Sequence, residues 1–127
     1  MKYVLVDTSV WIAFLKGDDS GRLLFPLLDS NQVCINDLIL SELIPSIRHR
    51  QESHLESLLK SVERIELRID WSNIIELQTL NLRKGINRVG IPDLVIAQNA
   101  IQNDFPLLSL DKHFSLMKEI FDLKIYE

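Results

Sequence analysis

The feature that most constrains this chain is a repeated alternation of short, continuously apolar runs with segments of helical periodicity. Lys2-Tyr3-Val4-Leu5-Val6 is β-branched and aromatic, and reads as a buried strand. A helical pattern from Val10 to Lys16 follows, with Ser9 as its N-cap and Gly17 as its stop. A second strand, Gln32 to Asn36, precedes a helix from Leu38 to His49 whose apolar face is Ile39, Leu40, Leu43, Ile44 and Ile47. Strand-then-helix order requires crossover connections, and these imply a parallel sheet with helices against it: an α/β sandwich. In such sheets ligands gather at the carboxyl ends of the strands.

The remaining elements fit that frame. Ser20 to Ser30 is a short helix that contains Pro26, and Pro45 inside the Leu38–His49 pattern predicts a kink or break. Leu55, Leu58, Leu59 and Val62 mark another helix, and Glu63 to Arg68 alternates weakly as a short strand. Further helices are expected from Trp71 to Lys84, opened by Asp70 and closed by Gly85, and from Pro92 to Asn103. Leu107-Leu108-Ser109 reads as a brief strand, Lys112 to Ile120 as a helix, and Leu123 to Tyr126 as a last strand. No repeat or linker divides the 127 residues, a length suited to one core, so residues 1–127 are expected to form a single domain.

Four acids draw attention by position. Asp7 follows the first strand directly, where a lone carboxylate beside the core is costly, although Asp7-Thr8-Ser9 would also make a turn. Asp93 continues the stripe of Ile96, Ala97 and Ala100 on its own helix, at a helix N-terminus that favours anions. Asp111 follows a short strand and would serve as a helix cap, while Glu42 shares a polar stripe with Ser46 and His49 and reads alone as a solvated residue. Carboxylates gathered at one sheet edge repel and require a cation to ionise together. An oxygen-only ligand set favours Mg²⁺ or Mn²⁺.

In order along the chain, these residues form four motifs: Val4-Leu5-Val6-Asp7-Thr8-Ser9-Val10-Trp11-Ile12, Leu40-Ser41-Glu42-Leu43, Asp93-Leu94-Val95-Ile96-Ala97, and Leu107-Leu108-Ser109-Leu110-Asp111-Lys112-His113-Phe114. Together they resemble the PIN-domain nucleases, particularly the VapC-type toxins of prokaryotic toxin–antitoxin pairs. Ser109 stands where that family often has threonine, and the hydroxyl is retained. The resemblance implies a PIN-like three-layer α/β/α sandwich with a central five-stranded parallel sheet. It further implies a divalent-metal-dependent endoribonuclease that inhibits translation and growth, a cognate antitoxin, and a homodimer. Asp7, Glu42, Asp93 and Asp111 would be both catalytic and metal-binding, with Mg²⁺ or Mn²⁺ as cofactor. Thr8, Ser9 and Ser109 would hydrogen-bond the ligating carboxylates or water.

Arg83, Lys84 and Arg88, which flank Gly85 and precede Asp93, are candidate RNA contacts, with Arg48 and Arg50 as further cations. His113 is a candidate assistant, whereas His49 and His54 have no case beyond exposed histidines. Trp11 and Phe14 read as core or interface. The net charge of −4 does not decide for or against RNA: four of the 18 acids are the candidate ligands, and the other 14 balance 14 basic residues. Cys34, the only cysteine, excludes an intrachain disulfide and reads as a core residue. No apolar run approaches the roughly 18 residues of a membrane span. Asp7 and Lys16 break what would be a signal sequence, so a cytoplasmic location is expected.

Other readings remain open. A PIN-domain RNA-processing nuclease without a toxin role, or a catalytically silent PIN fold used as a binding module, would share these motifs. A haloacid-dehalogenase-type phosphatase also places an aspartate after its first strand, but it resembles Asp-x-Asp, and Ser9 occupies the second position. A receiver domain fits poorly, since it would want paired acids before its first helix.

Overall fold

The computed structural model describes residues 2–127. Four strands, β1 (Val4–Val6), β2 (Val33–Ile35), β3 (Glu63–Arg64) and β4 (Leu107–Leu108), form one sheet in the order β3-β2-β1-β4, and every pairing is parallel. Leu5 pairs with Cys34 on one side and Leu107 on the other. The central strand is therefore β1, and Val4–Val6 are buried throughout, as a strand covered on both faces requires. Connections leave β1 toward β2 and return on its other side at β4. The sheet thus changes direction between β1 and β4, and their carboxyl ends open onto the resulting crevice.

Seven helices flank the sheet: α1 (Thr8–Lys16), α2 (Leu24–Asp29), α3 (Asp37–His49), α4 (Ser53–Ser61), α5 (Trp71–Arg83), α6 (Ile91–Asn103) and α7 (Lys112–Met117). The closest helix packing falls into two groups, α1 with α2 and α3, α3 with α4, and, separately, α5 with α6. Helix α6 is buried continuously from Leu94 to Ala100, so it reads as an interior element rather than a surface amphipath. A 3-10 turn over Asp19–Leu23 lies so close to α1 that a Cβ on Gly21 would stand 2.3 Å from the Phe14 amide nitrogen. Trp11 is fully buried and meets Phe14 edge-on, which fits the expected core role of both. Cys34 is buried as well, and burial pushes its thiol up to about 12.

Several sequence expectations need correction. The sheet has four strands rather than five, because the expected strand over Leu123–Tyr126 is reduced to one parallel bridge between Leu107 and Ile125. With β4 only two residues long, only Leu107 turns its backbone outward, accepting from Tyr126 N and donating to Lys124 O at 2.9 Å each. Leu108 faces β1 instead, accepting from Asp7 N. Helix α3 runs through Pro45 unbroken. Both Pro45 and Ser41, whose carbonyl loses its partner, are exposed, so that carbonyl is on the solvent side of the helix while buried Leu43 and Ile47 hold the opposite face. Pro26 is accommodated in the first turn of α2, where an amide hydrogen has no helical partner. The N-cap of α1 is Asp7, not Ser9, because the strand ends at Val6 and the helix already starts at Thr8.

Candidate active site

All four sequence motifs end on the same edge of the sheet. Asp7 is supplied by the end of β1 and is only 5% exposed. Its Oδ1 accepts from Ser9 N at 3.1 Å and Ser9 Oγ at 2.6 Å, and its Oδ2 accepts from Ser109 Oγ at 2.7 Å. Ser109 follows β4 across the crevice and accepts in turn from Asp111 N at 2.9 Å. Ser9 Oγ accepts from Leu110 N at 3.0 Å, so two hydroxyls stitch the ends of β1 and β4 together. Asp111 is half-buried and caps α7, its Oδ1 accepting from His113 N at 2.9 Å with His113 Nδ1 also 2.9 Å away.

Glu42 lies on α3, on the exposed side of its apolar face, and Thr8 Oγ1 donates to its Oε1 at 2.6 Å. Asp93 sits in the first turn of α6, where Gly90 N donates to its Oδ2 over a long 3.4 Å. Among the described residues, Glu42 Oε2, Asp93 Oδ1 and Asp111 Oδ2 take no hydrogen bond from the chain, and Asp7 Oδ2 takes one. Each acid therefore keeps an oxygen with accepting capacity to spare.

The turn allowed for Asp7 and the helix-start positions of Asp93 and Asp111 are thus real, yet at Asp7 and Asp93 the hydrogen bonds do not offset the burial of charge. Desolvation by burial raises the Asp7 carboxyl above its ordinary value despite the hydrogen bonds from Ser9 and Ser109. Desolvation also raises Asp93, and the charges of Asp111, Asp7 and Glu42 add to it, so the other three acids are felt at Asp93 across the crevice. Lysines and arginines pair instead with Asp19, Asp37, Glu52, Glu56, Asp104 and Glu127. Among the described residues none of Asp7, Glu42 or Asp93 has a basic partner. No three acidic, histidine or cysteine side chains there stand close enough to form a metal shell as placed. The donor set itself, all oxygen and short of positive charge, fits a hard divalent cation.

Sequence reasoning missed what fixes the helices beneath the site. Asn36 ends β2 as Asp7 ends β1, is fully buried, and caps α3 by accepting from Ile39 N at 2.9 Å. Its Nδ2 donates to Asn99 Oδ1 at 2.9 Å, and Asn99 Nδ2 donates to Glu66 O at 3.0 Å. This amide pair ties the helix that carries Glu42 to the helix that carries Asp93. Gln98 adds bonds from α6 to Asp70 and Asn73. Asn36 was legible in principle as a polar residue ending a buried strand, whereas Asn99 lies in a run with no such signal.

The candidate cations divide. Arg48 is held by both its Nε and a terminal nitrogen on Glu56, and Arg50 is paired with Glu52 at 3.1 Å. Arg83, Lys84 and Arg88 enter no ion pair among the described residues. They follow one another from the end of α5 into the loop before α6, where Arg88 adopts a left-handed backbone (φ 67°). Beside Glu42, an apolar groove of about 250 Å³ runs between α1 and α3 over Ile12, Leu15, Leu43 and Ile47, with Lys16 and Arg50 at its border.

Residues 4–120 match the PIN domain family, and the chain belongs to it. Proteins of this family are in general nucleases that depend on a divalent metal. Among solved structures, VapBC2 from Rickettsia felis, bound to a DNA fragment from its promoter, is 25% identical over 98% of this chain and 97% of its own, with a TM-score of 0.74. DNA-bound VapBC from Salmonella typhimurium is 20% identical over 99% and 98%, with a TM-score of 0.75. A toxin–antitoxin complex from Klebsiella pneumoniae is 19% identical over 86% and 87%, with a TM-score of 0.65. The last two support the fold alone. No curated protein matches the sequence. The resemblance drawn from the four motifs is upheld, and no helix among the described residues is long and apolar enough to cross a membrane.

Proposed function

We propose that this chain is a divalent-metal-dependent endoribonuclease of the cytoplasm, the toxin of a toxin–antitoxin pair. The observation that carries the reading is the junction of Asp7, Ser109 and Asp111 across the β1–β4 crevice, with Asp93 raised by burial and further by the charges of the other three acids. Asp7, Glu42, Asp93 and Asp111 hold Mg²⁺ or Mn²⁺, presenting the oxygens that the chain leaves least engaged. A divalent cation bound there supplies charge that offsets the acids and the phosphate and favours hydroxide over water near neutral pH. Ser9 and Ser109 fix both oxygens of Asp7, and Thr8 fixes Glu42, so the carboxylates are oriented before substrate arrives. Arg83, Lys84 and Arg88 draw in the RNA backbone.

The partner is an antitoxin. The groove over Ile12, Leu15, Leu43 and Ile47 suits an apolar segment, and because Glu42 lines it, an occupant there also closes one side of the acid cluster. A second copy of the chain belongs to the same reading. Trp71, Ile75 and Leu82 are 58%, 68% and 61% exposed along α5. Glu76 and Arg83 border that face, so an antiparallel copy brings opposite charges together.

The test is cleavage of total cellular RNA by the purified chain with Mg²⁺, with Mn²⁺ and with EDTA, alongside growth after expression of the chain alone. Discrete new RNA ends that vanish in EDTA and in Asp93→Asn, together with growth arrest by the wild type only, support the proposal. Cleavage that persists in both refutes the metal-carboxylate mechanism. Metal-dependent cleavage without growth arrest favours an RNA-processing nuclease.

A further inference from the structure

His113 is one-third exposed and lies in the first turn of α7, two residues beyond Asp111. Its ring contacts the acid at a single point, Nδ1 to Oδ1, at 2.9 Å. A carboxylate oxygen accepts, so Nδ1 is the ring nitrogen that carries the hydrogen. The same Oδ1 already accepts from the His113 backbone amide, which consumes its accepting capacity from two directions. Oδ2 is left without a donor from the chain, among the described residues. Ser109 meanwhile holds the Asp111 backbone amide and Asp7 Oδ2 at once. The carboxylate of Asp111 is therefore anchored at one oxygen, and the other is aimed by the torsion that the imidazole sets.

We infer that His113 is a positioning residue: its Nδ1–H fixes Asp111 as a one-oxygen ligand, through Oδ2, for the divalent cation of the site. The inference rests on the metal-binding reading above. Unlike a cap, which the His113 backbone amide satisfies whatever the side chain, this role belongs to the ring. A histidine ring that merely covers the start of α7 would affect folding. A ring that orients a ligand affects cation affinity at constant fold, in the way that partners of ligating groups commonly change it by about 10–100-fold.

The probe is Mn²⁺ alone, titrated calorimetrically into the full-length chain and into His113→Ala, His113→Asn, His113→Gln and Asp7→Asn, with thermal unfolding of each metal-free protein run in parallel. Asparagine places an N–H where Nδ1 stands, whereas glutamine places one where Nε2 stands. The expected result is Mn²⁺ affinity weakened at least tenfold in His113→Ala and His113→Gln, restored to within about threefold of wild type in His113→Asn, with metal-free melting temperatures unchanged. Wild-type affinity in His113→Ala, while Asp7→Asn abolishes binding, overturns the role of His113 and leaves the metal site standing. Affinity in His113→Asn as poor as in His113→Ala also overturns it. Absence of Mn²⁺ binding by the wild type overturns both this inference and the metal-binding reading.

Discussion

Replacing Asp7 by asparagine separates a residue kept for folding from one kept for function. The substitution preserves shape and a hydrogen-bond acceptor at the Oδ1 position, where Ser9 N and Ser9 Oγ donate. At the Oδ2 position a donor replaces an acceptor. Ser109 Oγ retains a free lone pair to accept it, and its own hydrogen can turn toward Ser9 Oγ, 3.5 Å away. Hydrogen bonds to a charged group are worth about 1.5–3 kcal/mol and neutral ones about 0.5–1.5. The three bonds to Asp7 thus weaken by about 1 kcal/mol apiece. Against this stands the removal of a desolvated charge, an effect of several kcal/mol for a buried ion. The raised Asp7 carboxyl says which side is larger, because desolvation outweighs all its hydrogen bonds.

Metal-free Asp7→Asn is therefore expected to be more stable than the wild type by about 1–2 kcal/mol. At about 3–5 °C per kcal/mol for a domain of this size, the melting temperature should rise by about 3–10 °C. Adding Mg²⁺ at a hundred times its dissociation constant should stabilise the wild type by about 2.7 kcal/mol and leave the variant unmoved. Differential scanning calorimetry at pH 7, with EDTA and then with Mg²⁺, reads both effects. A variant that melts below the wild type in EDTA would mean that the Asp7 charge is satisfied as a cap, and the argument for functional strain would fail.

Asn99→Ala strands the buried Asn36 Nδ2 and releases the carbonyl of Glu66, an exposed residue within reach of water. It should cost about 1–3 kcal/mol, the penalty of one orphaned buried donor, in urea denaturation, and an unchanged stability would mean that the network is dispensable. Gly21→Ala places a methyl against the α1 backbone. It should cost about 3 kcal/mol or more by the same measurement, with wild-type stability as the contrary result. In the metal-free protein, Asp7 and Asp93 bind protons more tightly folded than unfolded, so stability should fall as pH rises from the ordinary value of 3.8 through their raised values. Glu56, lowered to about 2 first by its hydrogen bonds from Arg48 and Lys60, gives the opposite slope: support present above 4.5 is lost as pH falls toward 2. Melting temperatures against pH for the wild type, Asp7→Asn and Glu56→Gln should show each slope removed in turn, and profiles identical to wild type would contradict the assignment. Arg88→Gln should weaken RNA binding and lower the log–log salt slope by about 0.7 for a single-stranded substrate, while an unchanged slope removes Arg88 from the RNA path.

The alternation of apolar runs with helical patterns made the parallel sheet legible, because strand burial and helix amphipathy are local, periodic signals. Three of the four acids stood out in position for a related reason: Asp7 ends a strand, Asp111 follows one as a helix cap, and Asp93 opens a helix on its buried side. Glu42 was visible only through the family pattern, since nothing in its own helix separates it from a solvated residue. What escaped detection depends on contacts distant in sequence. Ser9 and Ser109 stand 100 residues apart, and the partner of Asn36 is 63 residues away. The shortfall from five strands to four follows from the two-residue length of β4, which a run such as Leu107-Leu108-Ser109 does not reveal. Helix α3 survived Pro45 because of which face was exposed, a fact set by packing rather than by periodicity.

The hydroxyl stitch between Asp7 and Asp111 also fixes when, during the life of the polypeptide, the crevice can exist. Its two sides come from β1 and from the segment that follows β4, with Ser109 lying 102 residues beyond Asp7, and the loop around Gly85 divides the acids evenly: Asp7 and Glu42 before it, Asp93 and Asp111 after. A chain emerging from the ribosome carries two of the four acids until Asp93 is made, and β1 lacks the neighbour that closes its crevice until Leu107–Leu108 have emerged. The crevice therefore closes only once residues 107–111 have been made, and a polypeptide truncated before Asp111 lacks the junction that joins its two sides.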